Sequence, residues 1–455
     1  MHSRGGAPTT VTAADGSRDD RPESRQQRVG VLGPHNSKET KAILNAVSAL
    51  GHDPVWVRDE NVTSRIRRGS VSVSPPVDVL VNRLLLTKSD QPFEDLQLAA
   101  LYGQTATVLN PAGAVRAALH KYCAGARLAA AGLPVPDAAL GRSPRTVRTG
   151  SDELPGRVVH KPTVGTNGGH MTVVADGTAV SPRIDNRQAF LQEFIETSAR
   201  TPHDLRVYVV GNRVVGAMRR HAPEGDWRTN VALGGGVKDV TGELGTEPTR
   251  LAREATETLG LDFAGVDLVP ADDGGWYVLE VNATAGFKGL FEATGVSPAP
   301  HIAGLAVERA GAPVDPARVA DLAATLDDSV PDCKPQPDGD GDGGVLGFTT
   351  RVRLCGSGGS ERAVAKADTG AKRTSIDTGL AAEVGAGPLV GTTRVRSGAG
   401  ESETRPLVDL DIEIRDRWHP VTASITDRSG MNYRVLLGRD LLEEYTLDVT
   451  RRVEE

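Results

Sequence analysis

Cysteine is scarce in this chain: Cys123, Cys333 and Cys355 are the only three among 455 residues. They are too few and too scattered for a disulfide framework or a zinc ligand set. No apolar run approaches the length that crosses a bilayer. The first residues, MHSRGGAPTTVTAADGSRDDRPESRQQ, lack the apolar core of a secretory signal and have the composition of a disordered tail. Positive charge is not in excess: the net charge is −7, which gives no electrostatic footprint for nucleic acid. These absences point to a reduced, cytoplasmic protein that contacts neither membrane nor nucleic acid. A Walker A loop, the full dinucleotide fingerprint and the H-E-x-x-H signature are also missing.

The chain is too long for one hydrophobic core, so several domains are expected. After the tail (1–27), RVGVLG reads as a short buried strand, followed by a helix that Ser37 caps and Gly51 stops. DPVWVR and VDVLVNRL continue the strand–helix alternation, which predicts a parallel α/β domain over 28–112. From 113 to 312 the texture is α+β and rich in antiparallel hairpins, opening with one helix that carries Lys121. A Pro-, Gly- and Asp-rich linker follows (313–344). Its DGDGDGG lacks the twelfth-position Glu of a calcium loop. The last part, 345–455, is a run of short strands with glycine turns, expected to be all-β.

The hairpin FAGVDLVPADDGGWYVLEVNA carries the most chemistry. With Asp273-Gly274 as a two-residue turn, Asp272 pairs with Gly275 and the count places Asp267 opposite Glu280. Asn282 lies on the same face. Opposed carboxylates repel, and a divalent cation between them removes the conflict. Two carboxylates and an amide oxygen are hard ligands that suit Mg²⁺, with phosphates and waters completing the octahedron. The alternative is a solvated polar face; the apolar Val266, Leu268, Val278, Leu279 and Val281 weigh against it. Magnesium makes a nucleotide the natural partner. VVHKPTVGTNGGH delivers Lys161 before a loop with Gly165, Gly168 and Gly169, whose backbone can approach phosphate oxygens. LQEFIE offers backbone groups to an adenine edge, or is a buried strand only. Arg219, Arg220 and Arg228 hold polyphosphate or an acidic substrate, or form an exposed basic hairpin.

In this order, Lys121, Lys161 with its glycine loop, QEF, DLR, WRTN, AGVDL and EVNATAG resemble the ATP-grasp enzymes. The closest resemblance is to RimK-type amino-acid ligases, over Arg28 to Ala310. It implies a pre-ATP-grasp domain (28–112) and an ATP-grasp domain (113–312). It implies that Lys121, Lys161, Gly168 and Gly169 bind ATP phosphates, that Glu193 and Phe194 are the adenine hinge, and that Asp204 is a ribose-side contact. Arg228 and Asn230 would contact nucleotide or acyl phosphate, with Arg228 catalytic. Asp267, Glu280 and Asn282 would hold Mg²⁺ or Mn²⁺. The reaction implied activates a carboxylate as an acyl phosphate, which an amine then attacks. One departure stands out: after EVNA the family has Ser-Pro-Gly and this chain has Thr284-Ala285-Gly286, which bears on acceptor specificity.

Near the end, AVAKADTGAKRTS and YRVLLGRDLL together resemble retropepsin-like aspartic peptidases. More closely, they are similar to the family long labelled ATP-dependent zinc protease, over Val345 to Arg451. No His/Glu cluster supports the zinc of that label. The resemblance implies a retropepsin-like β-barrel in which Asp368 is half of a site, completed by a second chain. Thr369 and Gly370 would brace the pair, and RVRSGAGESETR would form a flap. Lys372, Arg373 and Arg439 near the cleft would favour acidic substrates. The expected whole is a ligase adding glutamate or a similar amino acid to a peptide or protein, fused to a dimeric peptidase that trims the product. The alternatives are a ligase of small-molecule amino acids whose C-terminal domain is a dimerisation or peptide-binding module, and a nucleotide-gated binding protein.

Overall fold

The computed structural model describes residues 25–453 except 35–36, 59–60, 90, 166–170, 175–188, 198–201, 224–226, 230–235, 273, 335–343, 397–401 and 416. Two compact units result, Met1–Pro335 and Gln336–Glu455.

The first unit begins with a four-stranded parallel sheet in the order Asp53–Val57, Arg28–Leu32, Val79–Asn82, Thr107–Leu109. Val29, Val31, Val79, Leu80 and Val81 are fully buried, as expected for a parallel sheet covered on both faces. Ser37 caps the helix Lys38–Ala49 by accepting the Thr40 N–H, so that start and strand were legible. The single helix expected around Lys121 is two. Ala112–Leu119 ends where His120 leaves helical geometry, and His120 Nδ1 then accepts the Cys123 N–H to start Lys121–Ala130. The break makes Lys121 the first residue of a helix and turns it toward the sheets.

Two antiparallel sheets follow. The smaller runs in the order Ala138–Gly141, Ala189–Glu193, Val158–Lys161, Thr172–Val174 around Val147, Val158, Ala189 and Leu191. The larger has five strands in the order Gly236–Asp239, Arg213–His221, His203–Val210, Phe263–Pro270, Trp276–Asn282. One face is apolar: Leu205, Val207, Val266 and Leu268 pack with Leu251, Ala252 and Ala255 of the helix Thr246–Thr258. The other face carries the charged side chains described below. Strand alternation therefore separates the stabilising face from the chemical one.

The second unit is a closed β-barrel. Six strands form the ring, in the order Thr349–Gly356, Gly359–Ala367, Val435–Leu437, Ser375–Asp377, Arg417–Thr426, Ser402–Ile414, and the last pairs back to the first. Leu389–Arg396 extends it beside Ser402–Ile414. Val352, Leu354, Ile376, Ile412, Ala423 and Val435 fill the interior. Two short helices, Thr378–Val384 and Arg439–Leu442, interrupt the expected all-strand pattern; Asp377 caps the first by accepting from Gly379 and Leu380.

Candidate functional sites

The larger sheet of the first unit places its polar residues by register. Asp204 lies opposite Arg220, Arg206 opposite Asp267, Asp267 opposite Glu280, and Gly265 opposite Asn282. Asp267 and Glu280 therefore oppose each other as counted, but by a different route. The two-residue turn at Asp273-Gly274 is wrong. Pro270 pairs with Trp276, and Ala271–Gly275 form a five-residue loop closed by the Ala271 N–H donating to the Gly275 carbonyl. Asp273 lies outside the described residues. A bulge at Leu279 then inserts one extra residue and restores the count. The two errors cancel.

Each carboxylate has its own cation. Arg206 grips Asp267 with Nε and Nη2 at 2.7 Å each, and Arg220 Nη2 lies 3.1 Å from the same carboxylate. Burial alone pushes the Asp267 carboxyl up, and the two guanidinium charges outweigh it and bring it down to about 2. Glu280 pairs with Lys121. The repulsion argued from sequence is thus relieved by three basic side chains. Asn282 sits two residues along the same face, and its buried Nδ2 has no partner among the described residues. Among those residues no three His, Cys, Asp or Glu side chains converge. The fit to a divalent cation rests instead on two carboxylates and an unsatisfied amide, a donor set of hard oxygens once the amide is turned.

Lys161 reaches the same cluster from the smaller sheet. Its Nζ donates to Gln192 Oε1, and the Lys121 N–H donates to the Thr163 carbonyl at 2.8 Å. Burial lowers the Lys161 ammonium, the neighbouring Lys121 charge adds to the effect, and the result is about 8. Gly168, Gly169 and Asn230 lie outside the described residues. Arg228 stands half-buried in the segment 227–229, whose Thr229 hydroxyl donates to Asp204 at 2.6 Å. Asp204 is buried, and Arg220 Nε and Nη2 grip it at 2.7 and 2.6 Å. It is placed as an organiser of Arg220 and Thr229 rather than as an open ribose acceptor. Arg220, 3 % exposed, is correspondingly unavailable to polyphosphate.

At the expected hinge, the Glu193 N–H donates to the Asp137 carbonyl and the Phe194 N–H to the Arg157 carbonyl. Both are engaged by flanking strands, so neither can donate to a purine in this arrangement. The Phe194 ring carries Arg157 4.1 Å from its centroid and meets Trp227 edge-on at 5.5 Å. Beside this strand a cavity of about 180 Å³ lies between Lys121, Tyr122, Phe190, Gln192, Val278 and Glu280. Sequence reasoning assigned no role to Arg206, although it lies two residues from Asp204 on the same strand face.

In the barrel, the strands Gly359–Ala367 and Ser375–Asp377 both pair with Val435–Leu437, one parallel and one antiparallel. The turn between them therefore wraps the end of that strand and holds Asp368. The Asp368 N–H donates to the Leu437 carbonyl, and Oδ1 accepts from the Gly370 and Ala371 N–H groups at 3.0 and 3.2 Å. Gly438 is required: an added Cβ would lie 2.4 Å from the Arg373 carbonyl carbon. The Thr374 hydroxyl donates to Asp440 and accepts from the Gly438 N–H, locking the two motifs together. Thr369 and Gly370 are exposed. Of the expected basic residues, Lys372, Arg373 and Arg439 are exposed and Arg373 donates to the Thr422 carbonyl at 2.8 Å. The buried cation that feels the Asp368 charge is Arg428, which sequence reasoning missed. The tip of the expected flap, 397–401, lies outside the described residues.

A family model described as RimK-like ATP-grasp domain matches residues 118–305. The tetrahydromethanopterin:alpha-L-glutamate ligase of Methanosarcina acetivorans is 32 % identical over 231 residues, 43 % of this chain and 68 % of its own length. The chain belongs to the RimK-like ATP-grasp family. A probable alpha-L-glutamate ligase 2 of Hahella chejuensis is 27 % identical over 287 residues, 59 % of this chain and 91 % of the relative. The fold matches a solved ATP-grasp ligase, PsnB, complexed with a phosphomimetic variant of its minimal precursor, Mg and ADP. The TM-score is 0.50 at 21 % identity, covering 62 % of this chain and 98 % of that one. The ATP-grasp domain is the part of the chain that the family model names, and the Mg and ADP are those of the PsnB complex. A second model, described as retropepsin-like aspartic endopeptidase RimB, matches residues 380–454. That stretch begins beyond Asp368, so the reading of the Asp-Thr-Gly turn rests on its geometry. No helix among the described residues is long and apolar enough to cross a membrane.

Proposed function

We propose that this chain is a carboxylate–amine ligase that adds glutamate, or a similar amino acid, to a peptide or protein in the cytoplasm. The observation that supports it most is the opposition of Asp267 and Glu280, each with its own cation, beside the unsatisfied Asn282 amide. In this reading Lys121 and Lys161 neutralise ATP phosphates, with Gly168 and Gly169 as further phosphate-binding residues. Glu193 and Phe194 frame the base through carbonyls and ring rather than through their N–H groups. The apolar walls of the 180 Å³ cavity, with Lys121 at its edge, suit the nucleotide. Arg228 and Asn230 face the acyl phosphate, and Asp204 holds Arg220 and Thr229 in place. Asp267, Glu280 and Asn282 would hold magnesium, which would supply charge withdrawal from the phosphates. The protein's part is positioning and charge neutralisation rather than proton transfer. The domain bounds proposed are 28–112, 113–312, a linker to 344, and 345–455.

For the barrel we propose an aspartic peptidase that trims the product. Two copies of Asp368, one from each chain of a homodimer, share a proton around a water. The Asp368-Thr369-Gly370 turn, half-exposed at Asp368 and exposed at the other two, is braced from behind by Gly438 and Thr374 and supports a surface for a second copy. One specific observation favours a second reading: the relative from Methanosarcina acetivorans is named for a small-molecule acceptor, tetrahydromethanopterin. Under it, the acceptor is a small molecule and the barrel only recruits or dimerises.

The deciding experiment is phosphate release from Mg-ATP across twenty amino acids, for wild type and Glu280→Ala. Release that depends on one amino acid and vanishes in the variant supports the ligase and names the donor. Tails built from that donor are then offered to wild type and Asp368→Asn. Equal cleavage by the two would remove the peptidase.

A further inference from the structure

The order of the parallel sheet puts Arg28–Leu32 at its switch point, with Asp53–Val57 on one side and Val79–Asn82 on the other. In open α/β sheets the crevice beyond the strand ends at such a point is where ligands bind. Two charged residues stand there. Glu39 is in the first turn of the helix that follows Arg28–Leu32. Arg83 follows Val79–Asn82 directly and is 7 % exposed. The crevice opens on the loop that continues from Asn282. Arg83 Nη1 donates to the Ala285 carbonyl at 3.3 Å, and Glu39 Oε1 lies 3.2 Å from where a Cβ on Gly286 would sit. Tyr208 Oη donates to the Gly286 carbonyl from the metal-site sheet.

Arg83 is poorly satisfied for so buried a cation. Its Nε has no hydrogen-bond partner among the described residues, its Nη1 donates to a single carbonyl, and the guanidinium stands 5.8 Å from the centroid of the Phe287 ring. A guanidinium offers paired N–H donors in a fork that matches a carboxylate, and leaving such a group buried and unsatisfied is costly. Glu39 supplies the opposite charge at the same crevice.

We propose that Arg83 and Glu39 form the binding site of the amine substrate, a free α-amino acid whose carboxylate Arg83 holds and whose ammonium Glu39 faces. The inference rests on the ligase reading of the neighbouring magnesium site, since it brings the amine to the loop beside Asn282. It also gives the Thr284-Ala285-Gly286 sequence a role: the Ala285 carbonyl sets the height of Arg83, and Gly286 leaves room for Glu39. These are specificity-determining residues that no motif of the nucleotide site contains. The competing explanation is a structural arginine whose Nε is met by one water, in the void of about 10 Å³ lined by Arg83, Tyr208 and Phe287.

Two measurements decide. In the phosphate-release assay, Arg83→Gln and Glu39→Gln each raise the KM for the amino acid about tenfold or more, with the KM for ATP unchanged. The α-amide of that amino acid, poor for wild type, becomes as good as the free acid for Arg83→Gln. An unchanged amino-acid KM in Arg83→Gln overturns the inference and leaves the ligase reading intact. Independently of turnover, calorimetry follows L-glutamate, then the other amino acids, binding to the full chain with Mg²⁺ and a non-hydrolysable ATP analogue. Binding to wild type that is lost in Arg83→Gln, at an unchanged melting temperature, supports the site even if no phosphate is released, in which case the ligase reading fails alone. Equal binding by both proteins, or none by wild type to any of the twenty, overturns the inference.

Discussion

The two carboxylate sites of this chain are built on opposite principles. Asp267 and Glu280 sit on a sheet face, with Arg206, Arg220 and Lys121 supplied by the same unit. Asp368 sits in a turn, half-exposed, its carboxylate held by main-chain N–H groups of that turn. The first kind of site is complete in one chain because a buried carboxylate must carry its counter-charge with it. The second leaves its carboxylate at a surface, which suits a site finished by something else.

That contrast is breakable, and the largest effects come first. Glu280→Ala should lower amino-acid-dependent phosphate release about 10³-fold, while Asp368→Asn leaves it unchanged in the same assay. Sensitivity of the ligase to Asp368 would end the separation of the two sites. Asp204→Ala takes two charge-assisted hydrogen bonds from the buried Arg220 and leaves it only Asp267, and should cost about 2–3 kcal/mol in denaturant unfolding. Asp368→Ala, which removes only a turn acceptor, should cost about 1 kcal/mol.

Asp267 adds a pH signature. Its folded pKa lies below the usual 3.8, so its contribution to stability is present above about pH 4 and is lost as pH falls toward 2. The loss, about 2 kcal/mol, should appear in acid unfolding of wild type and be absent in Asp267→Asn. Lys161, charged below about pH 8, should give a limb in kcat/KM for ATP that falls above that pH, about tenfold over the next unit. Lys161→Arg should remove the limb. The smallest effect concerns metal removal. Because Lys121 and the two arginines already balance the carboxylates, chelation of divalent ions should shift the melting temperature of nucleotide-free protein by no more than about 1 °C. A larger fall would mean that the cations described here do not substitute for a metal.

Much of this was legible in the sequence because strand alternation is a strong signal. It placed Asp267, Glu280 and Asn282 on one face, and it found the buried parallel strands. What it could not show were departures from regular geometry: the five-residue loop and the compensating bulge at Leu279, and the break at His120 that points Lys121 inward. Nor could it show partners far along the chain. Lys121 meets Glu280 across 159 positions, and nothing local in HKYC announces that. Arg220 was misjudged because an arginine pair in a hairpin reads as exposed, whereas alternation buries the second one against Asp204. Arg83 and Arg428 were invisible for the same reason: an arginine at the end of an apolar strand, or in a polar turn, looks ordinary until its surroundings are known.

Asn110 carries a consequence of another kind. It is fully buried with a positive φ of 56°, and it acts as a four-way knot. Its amide donates to the Phe263 and Ala283 carbonyls, its side-chain oxygen accepts from Asp262 and Phe263, and its own carbonyl accepts from Asn82. The end of the parallel sheet is thereby stitched to both strands of the hairpin that carries Asp267 and Glu280. In mechanical terms Arg83 and the sheet face that carries Asp267, Glu280 and Asn282 share one chassis. If both proposals hold, the distance between amine and metal would be fixed when the chain folds, and only the grip on the phosphates would be left to the small sheet that carries Lys161.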